Sequence, residues 1–323
     1  MEGRNAQYAP KAGVRQEGTS KKRKKPGALC APGLKGIKKS GILTKNRASC
    51  PGLGEWNMIR MIALDVDGTL LTSRGELTRE TVRAIRAARE KGVKVVLSTG
   101  RSTQEAVWLT GLAGCDGRAV CLGGAAVADM ADGRHLRRWD IPDGLAASVL
   151  ELLRDKPLAC MVFAGETNLL DAYSARHYRE TYPFPAYLDT VVEAEDISLW
   201  LRANRRPLTK IHAEGAPELF PPLLEELGKL SGLTLTSSGR DNFEVLAAGA
   251  DKGKALLLLG AEWGISPEET AAIGDSGNDL AMLRAVGCPV AMGNAPDEVK
   301  AVCAMVTDSN DRDGVARAIE RLI

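Results

Sequence analysis

A chain of 323 residues, 44% of them hydrophobic, is long enough for one large or two ordinary domains with a buried core. Its longest apolar runs, such as KALLLLGAEWGI at 254–265, fall well short of a membrane span and no signal peptide with a cleavage site opens it, so a cytoplasmic protein without a membrane partner is expected. Seven cysteines with no C-x-x-C pair, and three histidines at 135, 177 and 212, argue against both a disulfide framework and a zinc site.

The first 57 residues carry 13 Lys+Arg and 3 Asp+Glu, leaving 30 and 38 for the rest, so a tail of +10 precedes a body of −8. The tail is rich in Gly, Lys, Ala and Pro, lacks periodicity and contains KKRKK at 21–25, a composition that predicts disorder. Such a run can be a nuclear-localisation or nucleic-acid patch, but a solvated tail, or a start placed upstream of a natural first residue at Met58, are the simpler readings.

From Met58 the pattern alternates. MIALDVD is an apolar strand. TRETVRAIRAAREKG at 78–92 has apolar positions at 82, 85 and 88 and ends at a Gly suited to a helix C-terminus. VKVVLSTG (93–100) is the next strand, a helix is expected from about 102, and AVCLGG (119–124) is a third strand. Between about 141 and 243 the texture changes to strand candidates at 158–164, 168–173, 208–213 and 233–237 with helical segments between, read as an inserted α+β domain. Strand, polar loop and helix then recur at 270–287, 288–303 and 304–323. The expected organisation is a Rossmann-like parallel α/β core at 58–140 and 244–323 with a cap at 141–243, and ligands bound where strands end.

Asp65 and Asp67 stand at one such strand end, and an i, i+2 spacing on a strand would aim both at one pocket. Asp275 and Asp279, with Asn278, form a second acidic cluster at another. Carboxylates that converge without His or Cys suit a hard cation, and near an anionic substrate that cation is Mg²⁺, whose charge offsets the repulsion. An EF-hand also begins D-x-D, and Glu76 occupies position twelve. Position six is Leu70 rather than Gly, however, and MIAL is no helix. No Walker or G-x-G-x-x-G phosphate loop occurs.

D-x-D-G-T-L at 65–70, STGR at 98–101, Lys252 in ADKGKAL and GDSGND at 274–279 resemble, in order, the four motifs of the haloacid dehalogenase superfamily of phosphatases, and VAMGNAPDEVKAVC with VTDSNDRDGVA resembles its Cof-type branch. The resemblance runs over 58–323. One departure is LGGAA at 122–126, where Gly123 replaces the branch's usual Asn.

The resemblance implies that Asp65 is the nucleophile forming an aspartyl-phosphate, that Asp67 is the general acid and then base, and that Thr99 and Lys252 hold the phosphoryl oxygens. It implies Mg²⁺ held by Asp65, Asp275 and the Asp67 carbonyl, with Asn278 and Asp279 orienting the metal shell. Gly68, Gly100, Arg101 and Asn294 are further substrate-site candidates. Ser98 competes with Thr99 and Lys254 with Lys252; Arg101 can equally cover a helix start, and Asn294, favoured as a site contact, has capping of the last helix as its alternative. The substrate class implied is a small phosphorylated metabolite, in such families most often a sugar phosphate. Arg176, His177, Arg179, Arg205 and Lys210 are the cap's polar candidates for contact with the leaving alcohol. A phosphomutase of the same superfamily and a non-enzymatic phospholigand or nucleic-acid binder are the alternatives.

Overall fold

The computed structural model describes residues 58–182, 185–188 and 190–323; the basic tail lies outside them. Fourteen strands occur among the described residues. In chain order, β1 is Met61–Leu64, β2 Lys94–Leu97, β3 Arg118–Cys121, β4 Ala126–Asp129 and β5 His135–Arg138. The middle of the chain supplies β6 Ala159–Ala164, β7 Thr167–Leu170, β8 Val192–Glu193, β9 Lys210–Glu214, β10 Leu233–Thr236 and β11 Asn242–Ala247. The last three are β12 Thr270–Gly274, β13 Cys288–Ala291 and β14 Met305–Val306.

The core sheet is fully parallel in the order β14-β13-β12-β1-β2. Apart from Lys94 and Thr270 at strand starts, its strands are apolar, because both faces are covered. Along β1, Ile62 and Leu64 join one buried cluster while Met61 and Ala63 join the other. Helices flank the sheet as the sequence periodicity implies. Thr78 caps the Arg79–Glu90 helix by accepting from the Thr81 amide, and Ser102 with Glu105 forms a capping box on the Thr103–Ala113 helix. Leu64 sits opposite Leu97 and Ile273, so the chain leaves β1, β2 and β12 along one edge of the sheet.

Two features differ from the sequence-based expectation. The third strand lies beside β2 but pairs there only through an isolated Ser98–Val120 bridge just past the end of β2, and otherwise opens an antiparallel β3-β4-β5 sheet. The Asp132-Gly133 pair between β4 and β5, with Gly133 at φ +74°, is the hairpin signal responsible. Second, β11 pairs antiparallel with β9 and β10, so the six-stranded sheet β10-β11-β9-β6-β7-β8 extends past residue 243.

That second sheet follows a different rule from the core. Ile211, Ala213, Phe243 and Val245 pack into one apolar cluster with the helices at Asp143–Leu153 and Phe220–Lys229. The alternate positions, Lys210, His212 and Glu214 on β9 and Asn242 and Glu244 on β11, line a cavity instead.

Candidate active site

β1 ends at Leu64, and the chain turns at once. The Leu70 amide donates to the Asp65 carbonyl (3.3 Å) and the Leu71 amide to the Val66 carbonyl (3.0 Å). Asp65 and Asp67 therefore do not share a strand face; this corrects the alternation argument. A turn, not a pleat, brings both to one cavity of about 380 Å³. Gly68 makes the turn possible: its φ is +77°, and a Cβ there would run into the Asp275 carboxylate.

Lys252 is the hub. Fully buried, its ammonium donates to Asp65 Oδ1 (2.6 Å) and Asp279 Oδ1 (2.7 Å) and lies 3.5 Å from Asn278 Oδ1. Burial disfavours its charge, but Asp279 and Asp65 outweigh that and raise its pKa. It opens the Lys252–Glu262 helix, capped by Asp251, whose approach requires Gly124, since a Cβ there would collide with the Asp251–Lys252 backbone. Lys254 faces away, donating to the Gly249 carbonyl at 3.2 Å.

Asp279, also fully buried, spends Oδ2 on the amides of Asp275 (3.0 Å) and Ser276 (3.1 Å), which shapes the loop after β12. Asp275 accepts from the Thr69 hydroxyl at 3.1 Å, and Asn294 Nδ2 reaches both the Gly68 carbonyl (2.8 Å) and Asp275 Oδ2 (3.4 Å). Asn294 thus touches the site rather than simply capping a helix. Burial, then Asp279, pushes the Asp275 carboxyl up to about 6. Burial and Asp279 likewise hold the Asp65 carboxyl well above the ordinary range, against the pull of Lys252.

Acids raised in this way mark a site short of positive charge. Asp65, Asp275 and Asp279 can each offer an oxygen within 4.8 Å of the others, an all-oxygen donor set that fits a hard divalent cation such as Mg²⁺. Because both Asp279 oxygens are already engaged, Asp65 and Asp275 are the better donors. The Asn278 amide oxygen accepts from the Ser276 hydroxyl (2.8 Å), and the Asp67 side chain is occupied elsewhere.

Arg101 holds Asp67 in a fork, with Nε to Oδ2 at 2.9 Å and Nη2 to Oδ1 at 2.6 Å, while Nη1 reaches Glu105 Oε1 at 2.9 Å. The Tyr182 hydroxyl, from the inserted segment, donates to that same Glu105 oxygen. Thr99 is fully buried, and its Oγ1 accepts from the Arg101 amide at 3.1 Å. Ser98 is buried too, with its hydroxyl unpaired, outside the cavity lining.

The family model for haloacid dehalogenase-like hydrolases matches residues 62–319, nearly all of the described chain. The chain belongs to this family. Among curated relatives, phosphatase YwpJ of Bacillus subtilis is 32% identical over 289 residues, covering 82% of this chain and all of the relative. A second B. subtilis relative, 5-amino-6-(5-phospho-D-ribitylamino)uracil phosphatase YcsE, is 33% identical over 268 residues, covering 82% of this chain and 96% of its own. The solved structure of a haloacid dehalogenase-like hydrolase from B. subtilis superposes with a TM-score of 0.72 at 29% identity, covering 82% of this chain and all of that one. This hydrolase is a phosphatase of the Cof-type branch.

In this phosphatase the structure gathers Asp65, Asp67, Gly100, Arg101, Asp275 and Asn278 into one cavity lining, with Lys252, Asp279, Gly68 and Asn294 bonded or packed against them and Thr99 just behind. Among the cap candidates, Lys210 lines the same cavity. His177 bonds Glu214 and Arg179 pairs with Glu193, while Arg176 and Arg205 are absent from the lining. Sequence reasoning missed Glu105, Tyr182, His212, Glu214 and Glu244. The available signal was period-two alternation in KIHAE and NFEVLA, which sets Lys210, His212, Glu214, Asn242 and Glu244 on one face.

Proposed function

We propose that the chain is a Mg²⁺-dependent phosphomonoesterase that hydrolyses a small phosphorylated metabolite through an aspartyl-phosphate on Asp65. The observation that carries this reading is the buried Asp65–Lys252–Asp279 triad facing Asp275 beneath a cavity that also holds Asp67. In the first step an Asp65 oxygen bonds to phosphorus as the bond from phosphorus to the substrate oxygen breaks, and Asp67 gives its proton to the departing alkoxide. In the second, Asp67 takes a proton from a water that attacks phosphorus, the bond to Asp65 breaks, and orthophosphate leaves. Lys252 and Thr99 hold phosphoryl oxygens. Bound Mg²⁺, held by Asp65 and Asp275, would offset charge on the phosphoryl group and among the acids. Asp67 must leave the Arg101 fork to reach the alkoxide, which suits an arginine that turns to the incoming phosphate.

The cavity's polar face of His212, Glu214, Asn242 and Ser238 supports a hydroxyl-rich leaving group, and the ribityl phosphate in the name of YcsE is of that class. A phosphate-release screen over phosphorylated metabolites with Mg²⁺ tests the proposal. Asp65→Asn should retain less than about a hundredth of wild-type turnover, and chelation followed by Mg²⁺ should remove and restore it. Full activity of Asp65→Asn or of the chelated, dialysed protein would refute it, and isomer formed without orthophosphate would indicate a mutase.

A further inference from the structure

Lys210 lies in the second sheet yet makes its longest-range contact in the core. Only 1% exposed, its ammonium donates to the Gly100 carbonyl at 2.8 Å and to Glu244 Oε1 at 2.6 Å, and it lies 5.7 Å from the centre of the Phe163 ring. Taking a lysine out of water is costly, and a buried ion pair is weak evidence of stability in itself. A pair in this place calls for a reason beyond packing.

The reason lies in the peptide it grips. The carbonyl of Gly100 and the amide of Arg101 belong to one planar unit, so fixing one fixes the other. That amide donates to Thr99 Oγ1 at 3.1 Å. A hydroxyl has one proton, and an oxygen engaged as an acceptor on one side directs that proton to the other. The rest of Thr99 is anchored, its amide on the Val120 carbonyl (2.9 Å) and its carbonyl on the Gly123 amide (2.9 Å). The same peptide leads into Arg101, whose fork holds Asp67. A charged donor on the carbonyl also polarises the peptide and strengthens its N–H.

The pair packs against two glycines, at distances that a Cβ would bring to ordinary contact. A Cβ on Gly100 would lie 3.4 Å from Glu244 Oε1, and one on Gly123 would lie 3.4 Å from Glu244 Oε2. Gly123 is the position at which the chain departs from the branch's usual Asn. Glu244 Oε2 is buried without a partner, so the pair is held there at some cost rather than arising as an optimal polar contact.

We propose that Lys210, supported by Glu244, is a positioning residue that couples seating of the second sheet to the phosphate site by orienting the Gly100–Arg101 peptide and, through it, the Thr99 hydroxyl. The inference rests on the phosphomonoesterase reading above. It predicts that removing the pair harms the handling of the phosphoryl group itself, whatever alcohol is attached.

The test uses the full chain with Mg²⁺, p-nitrophenyl phosphate as substrate and orthovanadate as a phosphate mimic that lacks a leaving alcohol. Lys210→Met alone strands a buried carboxylate, so Lys210→Met/Glu244→Leu, which removes both charges, is assayed beside it, and melting temperatures verify folding. For the double variant we expect kcat to fall about tenfold or more, and vanadate inhibition to weaken by a similar factor, with KM changed less. Lys210→Arg, which keeps a donor, should recover most of the loss. Unchanged kcat and vanadate inhibition in a folded double variant, including an effect confined to KM, would overturn the inference and make Lys210 a contact for the alcohol. Failure of the wild type to release nitrophenol above the Asp65→Asn background would instead count against the phosphomonoesterase reading.

Discussion

The two large sheets put chemistry in different places. In the core sheet the strands are apolar apart from Lys94 and Thr270 at their first positions, and the polar site residues come after the strands stop, so Asp65, Thr99 and Asp275 hang from the ends of β1, β2 and β12. On β9 and β11 of the second sheet polar residues alternate with apolar ones inside the strands, and Lys210, His212 and Glu244 look out from its face. A parallel sheet covered on both sides can display function only at its edge, whereas an antiparallel sheet with one free face can display it along its length. On the function proposed above, the edge serves the phosphoryl group common to all substrates, and the face, apart from the Lys210–Glu244 pair, serves the part that varies.

The comparison breaks first at Lys252. If the core edge is held together by one ammonium among buried acids, Lys252→Met leaves Asp65 and Asp279 without their cation, at a cost of about 3–5 kcal/mol. Thermal melting should show a large fall, and Mg²⁺ should recover part of it, because a cation on Asp65 relieves the same repulsion. A variant that melts like the wild type would mean that the triad contributes little.

Acid titration distinguishes the face from the edge. Burial alone would raise the Glu244 carboxyl, but Lys210 and His212 bring it from 4.5 down to about 2. A lowered folded pKa contributes stability that is complete above about 4.5 and is lost as the pH falls towards 2, on the order of 3 kcal/mol at most. The wild type should therefore lose melting temperature between those values more steeply than Lys210→Met/Glu244→Leu. Parallel curves would show that the pair is not held ionised by its surroundings.

The smallest effect is expected where edge and face meet through a single hydroxyl. Tyr182→Phe removes the bond to Glu105, worth about 1 kcal/mol, and should raise KM modestly while leaving the proposed Mg²⁺ dependence intact. Loss of Mg²⁺ dependence would place Tyr182 closer to the chemistry than this account does.

The core edge is legible in the sequence because Asp65, Asp275 and Asp279 sit in short local motifs at the ends of apolar runs, whereas Lys252, at the start of a helix, is singled out only by the family resemblance. The link between Asp65 and Asp67 is not the one that strand alternation implies. Strand alternation cannot apply beyond Leu64, and the turn that joins them depends on Gly68 at positive φ. The face was less legible. Glu244 and Lys210 are far apart in sequence, and only the β9–β11 pairing makes them neighbours. β11 alternates in the sequence as well, but a cap boundary at 243 cuts through it. Arg101 could be singled out, but its partners Asp67 and Glu105 depend on side-chain placement that spacing alone does not fix.

Trapping the phosphorylated enzyme tests the central claim, transfer to Asp65, most directly. Nitrophenolate departs without a proton, so Asp67→Asn should still accept the phosphoryl group from p-nitrophenyl phosphate but activate water poorly. After acid quench and proteolysis, the account predicts the mass of one phosphoryl group on the peptide that contains Asp65, absent when Asp65→Asn is added. Phosphate found on another residue, or sustained turnover by Asp67→Asn with no phosphorylated peptide, would contradict it.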